Sequence, residues 1–535
     1  MNGRRSVAAL VLWIFAACLG ATPVYAWQPH VLRFAEGIDV TTLDPFLATS
    51  GNVIDLSGLT MAYFVRYDAQ RRPVPELITE IPSERNGGIG ADGRTITYRL
   101  KHGVRWSDGA PFDAGDVAYT LRVVADRSNL LTSRDAWDRI VRFEEPNKYT
   151  IVLHLDRPFA PFVTRYFGSD GLGCILPVHI LGAHTNINQV PYNALPVGIG
   201  PFRYTAFRRG DAIEMEANPY YFGRKPKVRK IVYSLVSEVN TLLTQLQTGE
   251  LDMWAVVSGD FTRRVRGLPN VRSEQVPSAF MSGIFFQTEH PAVHEALVRR
   301  ALRLATNRPY LFDVLYDRLG TLAESVVAPS TRDAAQLPQV PYDPAQANKL
   351  LDRDGWQRGP DGVRTKSGTR LSLTIAVLAG YAPAAQLAEL LRTSWSAVGA
   401  EVTTKPSSSA LFFAPADVGG TVQSGNFDVA LLSQSSGVFA DVSNGFGCAY
   451  RSPRGLNATR YCNPAVDREL AAYAATYDAR RAAALARRFQ QQIDDDAPMI
   501  PVYARAFLYA HTSHLTGFHP QTFGVFDAIA DADVQ

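Results

Sequence analysis

Gly103-Val104-Arg105-Trp106-Ser107-Asp108-Gly109-Ala110-Pro111-Phe112 runs into Asp113-Ala114-Gly115-Asp116-Val117. Ser107-Asp108-Gly109 is a turn tripeptide: Asp bonds its own backbone and Gly accepts a positive φ at little cost. The turn presents Asp113 as the N-cap of a helix predicted over 113–126. Strand-like stretches rich in β-branched and aliphatic residues flank it, at 95–100 upstream and 150–155 downstream.

Working outward, the same alternation continues along the chain. Strands are expected at 31–34, 230–235, 371–377 and 427–432, and helices at 239–247, 292–305, 344–351, 383–398 and 465–493. Asp343 before Pro344 is a second start signal, with Pro at the first helical position. Leu387, Leu390, Leu391, Trp395 and Val398 recur at helical spacing and form one stripe for packing on a sheet. The strand at 371–377, that helix, a turn at Gly399 and a strand at 401–403 make a strand–helix–strand unit, whose helical crossover permits parallel pairing. No short repeat or low-complexity tract interrupts this mixed α/β texture.

The chain has 535 residues, 46% hydrophobic and 20% charged, which suits two or three globular domains. Arg4 and Arg5, an apolar run from Val7 to Leu19, and Val24-Tyr25-Ala26 read as an export signal cleaved after Ala26. Phe15-Ala16-Ala17-Cys18 offers a lipoprotein box as a second reading, although Phe15 stands where an aliphatic residue is usual. The arginine pair matches a twin-arginine signal poorly. The formal charge of +3 falls to about +1 without Arg4 and Arg5. That balance asks for neither nucleic acid nor an anionic membrane. No later apolar stretch reaches the ~20 residues of a membrane span. Export implies an oxidising compartment, so Cys448 and Cys462, which bracket a short loop, are expected to pair, and Cys174 to be a buried thiol.

Catalytic signatures are missing. The sequence has no Gly-x-Ser-x-Gly elbow and no phosphate-cradling loop ending in Lys-Ser/Thr. Gly198-Ile199-Gly200 begins a dinucleotide pattern that fails at Arg203. His294-Glu295 lacks the second His of a zinc helix, and His511, His514 and His519 share neither a helical nor a strand face. Asp494-Asp495-Asp496 reads as a solvated helix end. No enzyme activity, cofactor or metal is expected.

Several blocks together resemble the peptide/nickel-type extracytoplasmic solute-binding proteins of ABC importers, which include dipeptide- and oligopeptide-binding members. They are Tyr67-Asp68 through Pro75-Glu76-Leu77; Asp92-Gly93-Arg94 through Leu100; the run from Gly103; Val197-Gly198-Ile199-Gly200-Pro201-Phe202 with Asn218-Pro219-Tyr220-Tyr221 and Lys225-Pro226; Gly249-Glu250-Leu251-Asp252; Val298-Arg299-Arg300-Ala301-Leu302 through Asn307-Arg308; and Asp343-Pro344 through Leu350-Leu351. They stand in family order over almost the whole exported chain. Their own chemistry is mostly that of turns and caps that hold a fold.

The resemblance implies a two-lobed periplasmic binding protein fold of the class II, cluster C type, with two crossover hinge strands. Lobe one would comprise 27–281, with an extra subdomain at about 60–190, and 506–535; lobe two would comprise 282–505. A solute would lie in the cleft, and a membrane permease would accept the closed monomer. Thr49-Ser50-Gly51 resembles a ligand-contacting loop of dipeptide-binding members. Lobe two is expected to contribute Tyr381, and Ser435, Ser436 and Phe439 from the loop after the strand at 427–432. Where dipeptide-binding relatives hold the ligand's amino group with Asp and its carboxylate with Arg, this sequence has Val438 and Ala379. Asp441 is a candidate displaced anchor. Peptides or peptide-like molecules are the expected cargo, with oligosaccharides, opines and nickel chelates as alternatives, and a periplasmic chaperone or sensor as the rival class.

Overall fold

The computed structural model describes residues 28–535 except 49, 135, 170–172 and 258. The expected signal peptide, Cys18 and Thr49 therefore lie outside the described residues. The opening sequence run folds as a lock. Asp113 caps the helix Ala114–Ala125 and shares a capping box with Asp116. Trp106 is fully buried, and its Nε1 donates to Asp116 Oδ2 at 3.2 Å. Gly109 sits at φ +94° under the Tyr220 ring, 3.1 Å from where a Cβ would stand. Ser107 N donates to Gly198 O, and a Cβ on Gly198 would meet Thr60 O at 2.1 Å. Two motif blocks far apart in sequence thus clamp the end of the helix Gly51–Thr60.

The main sheet runs in the order Glu401–Ser407, Ser372–Leu378, Val429–Ser435, Val271–Phe286, Met499–Thr512, Met253–Trp254, Val31–Glu36, Lys230–Leu235, Ala212–Ala217, Phe202–Arg208, with Gly320–Leu322 added on Met499–Thr512. Ser372–Leu378 pairs in parallel with Glu401–Ser407 across the helix Ala382–Ala397, as the crossover requires. Val271–Phe286 and Met499–Thr512 pair antiparallel along most of their length, with one register shift between Ser282 and Gly283 and another between Pro277 and Met281. On one side of that shift Met499–Thr512 also pairs with Met253–Trp254, and on the other Val271–Phe286 also pairs with Val429–Ser435. These two strands tie the halves of the molecule together.

Each half has its own buried cluster, around Leu32, Phe34, Met215, Tyr233 and Met253 in one and Ile284, Phe286, Leu373, Ile375 and Trp395 in the other. A third cluster builds on the small sheet Thr95–Arg99, Thr150–Leu155 and Ile140–Asn147 and continues into Tyr473 and Phe489 of the late helices. Tyr477 Oη crosses the same seam to donate to Gly93 O at 2.8 Å.

Local differences from the sequence reading have identifiable causes. The helix expected over 465–493 is two, Pro464–Ala475 and Ala479–Asp496, because Asp478 caps the second by accepting from Arg481 N at 2.6 Å. The helix expected from 292 starts at Ala296, after the short turn Pro291–Val293. Of Asp494 to Asp496, expected as a solvated end, only Asp495 is exposed. Asp494 pairs with buried Arg303 at 2.5 Å, while Asp496 Oδ2 accepts from Tyr461 Oη at 2.5 Å and Asn463 at 2.8 Å. Cys448 and Cys462 are bonded. Cys174 is buried and free, and burial pushes its thiol far above the ordinary range.

Candidate functional site

Two cavities flank the paired long strands, one walled by both halves of the sheet and the other by the small-sheet subdomain and the second half. The first, about 960 Å³, lies between the small-sheet subdomain and the segments after Val429–Ser435. Arg139, Phe159, Arg165 and Tyr166 line one wall, with Ser435 and Asp441 among the residues opposite. The Arg139 guanidinium stacks 4.3 Å from the Phe159 ring centroid, and its Nε is buried with no acceptor among the described residues. Asp441 Oδ1 accepts from Ser443 N at 3.0 Å and from Ser443 Oγ at 2.5 Å, which fixes the carboxylate's orientation. An aromatic wall with a few fixed polar groups suits a small organic ligand of mixed polarity.

The second cavity, about 860 Å³, is bounded by Glu36, Arg264, Tyr316, Tyr381, Arg505 and Phe507, among others. Tyr381 is 46% exposed and precedes the helix Ala382–Ala397, while Tyr316 stacks on Tyr503 with centroids 4.0 Å apart. Glu36 ends the strand Val31–Glu36 and is 5% exposed. Burial, then the nearby Asp55 charge, pushes its carboxyl up to about 8; burial raises Asp55 to about 7. Arg505 lies 5.7 Å from the Phe280 ring and 5.9 Å from Phe507.

The residues singled out in the sequence separate accordingly. Ser435 and Asp441 border the first cavity and Tyr381 the second. Ser436 and Phe439 are buried in packing: Ser436 Oγ bonds Thr331 Oγ1 at 2.7 Å, and Phe439 lies under the Arg332 guanidinium at 5.4 Å. Ser50 is the N-cap of Gly51–Thr60 without a side-chain cap bond, and a Cβ on exposed Gly51 would meet nothing within 4 Å. Val438 is buried, and Ala379 N donates to Ser407 O at 2.8 Å. Sequence reading missed Glu36, Asp55, Arg139 and Arg505. Glu36 had a signal, since it follows a predicted strand in a sheet where ligands gather beyond the strands' C-terminal ends. The other three fall in no motif.

A sheet in two halves joined by two long strands, with cavities at the junction, defines a two-lobed solute-binding protein. The family described as "Bacterial extracellular solute-binding proteins, family 5 Middle" matches residues 72–455. The chain belongs to this family of ABC-importer binding proteins. Protein XP55 of Streptomyces lividans is 28% identical over 510 residues, covering 92% of this chain and 88% of that protein. The glutathione-binding protein GsiB of Salmonella paratyphi A is 27% identical over 540 residues, with 97% of each covered. The oligopeptide-binding protein AppA of Bacillus subtilis, solved with a nonapeptide, superposes with a TM-score of 0.75 at 20% identity, covering 95% of this chain and 100% of that one. Among the described residues no helix is long and apolar enough to cross a membrane.

Proposed function

We propose that this chain captures a peptide or peptide-like solute between its lobes and delivers it to the permease of an ABC importer. The observation that carries this reading is the first cavity: Arg139 and Arg165 face Ser435 and Asp441 across a space of about 960 Å³ walled by Phe159 and Tyr166. Guanidinium groups beside rings receive carboxylates and planar amides, while the hydroxyl and carboxylate opposite accept from N–H donors. A small peptide offers both kinds of group. The names of GsiB, a glutathione-binding protein, and AppA, bound to a nonapeptide, support the same cargo class.

In this reading the lobes are 27–281 with 506–535, and 282–505. They hinge at the Pro277/Met281 register shift, where the long strands exchange neighbours. The protein acts as a monomer in the periplasm after cleavage behind Ala26, binds without turning over its ligand, and uses no metal or cofactor. Ser50 and Gly51 belong to the lobe-one rim of the cleft. A thermal-shift screen of the exported form against di- to pentapeptides, glutathione, oligosaccharides, opines and nickel chelates tests the reading, because a ligand that binds the native state raises Tm. Stabilisation by peptides or glutathione is expected. Stabilisation by oligosaccharides or chelates alone overturns the cargo class.

A further inference from the structure

The first cavity has two unlike walls. Its charged wall, with Arg139 and Arg165, comes from the small-sheet subdomain. Lobe two supplies, among others, two short segments: 411–422 and the loop that the Cys448–Cys462 bond closes. Phe412, Val422 and Ala458 of these segments share one buried cluster with Ala376, Phe427 and Ala430. The apolar surface does not end there. Phe413, whose ring lies 5.0 Å from that of Phe412, is 60% exposed, and Leu456 is 69% exposed. Both border the cavity, as do the buried Val422 and Ala458. Large apolar side chains left in water at the edge of a cavity, continuous with a buried cluster, mark a surface that another apolar group covers.

The two segments are held in place without any ligand. Asn457 is fully buried and donates to Gly447 O at 3.1 Å and to Tyr461 O at 2.8 Å, which ties both ends of the disulfide loop. Arg460 of that loop donates to Ser424 O at 2.8 Å, and Ser407 Oγ and Thr421 Oγ1 are bonded at 2.9 Å. Gly420 turns so tightly that a Cβ would meet Ala414 O at 1.7 Å. A surface fixed in this way loses little freedom when it is covered, so its burial appears as affinity.

We propose that Phe413 and Leu456 form a specificity subsite that receives a large aliphatic or aromatic side chain of the captured solute. The proposal rests on the reading of this cavity as the place of a peptide-like solute and names the class it prefers: peptides with a bulky apolar residue, over glutathione and over peptides of small residues. The charged wall does not separate these, because every one of them offers carboxylate and amide groups. Discrimination comes from the apolar side, where covering a leucine-sized side chain changes affinity about tenfold or more. Leu411 and Val418 are also exposed on the first segment but do not border the cavity, so they take no part.

The test is calorimetric titration with trialanine, with the tripeptides in which leucine or phenylalanine replaces each alanine in turn, and with glutathione. In the wild type, one placement is expected to bind about tenfold or more tighter than trialanine and than glutathione. That preference is expected to disappear in Leu456→Ser and in Phe413→Ser and to persist in Val418→Ser. An unshifted Tm of each unliganded variant verifies folding, as expected for substitutions at exposed positions. Equal affinity for all the tripeptides in the wild type, glutathione binding tighter than every tripeptide, or a preference that survives either cavity substitution overturns the subsite and leaves the importer reading standing. If neither the tripeptides nor glutathione bind the wild type, the cargo reading falls with it.

Discussion

Arg308 and Glu36 are each 95% buried or more, and their surroundings could hardly differ further. Arg308 donates to Glu324 at 2.7 Å, to Ala323 O, Pro501 O and Val340 O, and so ties the helix Arg308–Tyr316 to the edge of the sheet. Its neighbours Arg299 and Arg303 bind Ala497 O and Asp494 at the end of the helix Ala479–Asp496. Glu36 has none of this. Arg299, Arg303 and Arg308 each reach a carboxylate or carbonyl within lobe two, whereas Glu36 faces an open cavity. The first set of charges holds the fold, and the second stands where solvent or a ligand can reach it.

The comparison can be broken most severely in the frame. Arg308→Met strips Glu324 of its bidentate partner and should cost about 3–5 kcal/mol in urea denaturation; the double variant with Glu324→Leu should recover much of it. Loss of the Cys448–Cys462 bond through Cys448→Ser and Cys462→Ser opens a loop of sequence separation 14. It should cost about 3 kcal/mol by loop entropy. The cleft should respond with the opposite sign: Glu36→Gln should stabilise the unliganded protein by about 1 kcal/mol at pH 8. The folded state binds more protons than the unfolded one between the ordinary carboxyl range and about 8, so stability falls as pH rises through that window. Melting curves from pH 6 to 9 should show this decline, with a shallower slope in Glu36→Gln. The smallest effect is expected from Asp113→Ala, about 1 kcal/mol from the lost cap of Ala114–Ala125.

The frame was legible in the sequence because its determinants are local. Asp113 and Asp343 both cap the helices they announce, the strand–helix–strand unit pairs in parallel, and the strands at 150–155 and 230–235 have the expected limits. The Asp478 cap that splits the long late helix was overlooked, because apolar spacing continues across it. The site was less legible. Ser436 and Phe439 follow a strand as ligand-binding loops do, yet their side chains turn into packing with Thr331 and Arg332, a choice made by residues a hundred positions away. Arg505 is 469 positions from Glu36, and only the hinge pairing brings both to one cavity. A residue's lack of a partner is a property of three-dimensional surroundings and leaves no trace in spacing.

The central claim is that a peptide-like solute is captured between the lobes in the cavity that Arg139, Arg165, Ser435 and Asp441 border. Its most direct test is calorimetric titration of the exported protein and of its Arg139→Gln variant with di- to pentapeptides and glutathione. Binding at one site per chain, weakened about tenfold or more in Arg139→Gln, is predicted. Peptide binding that is unchanged in Arg139→Gln would contradict the claim.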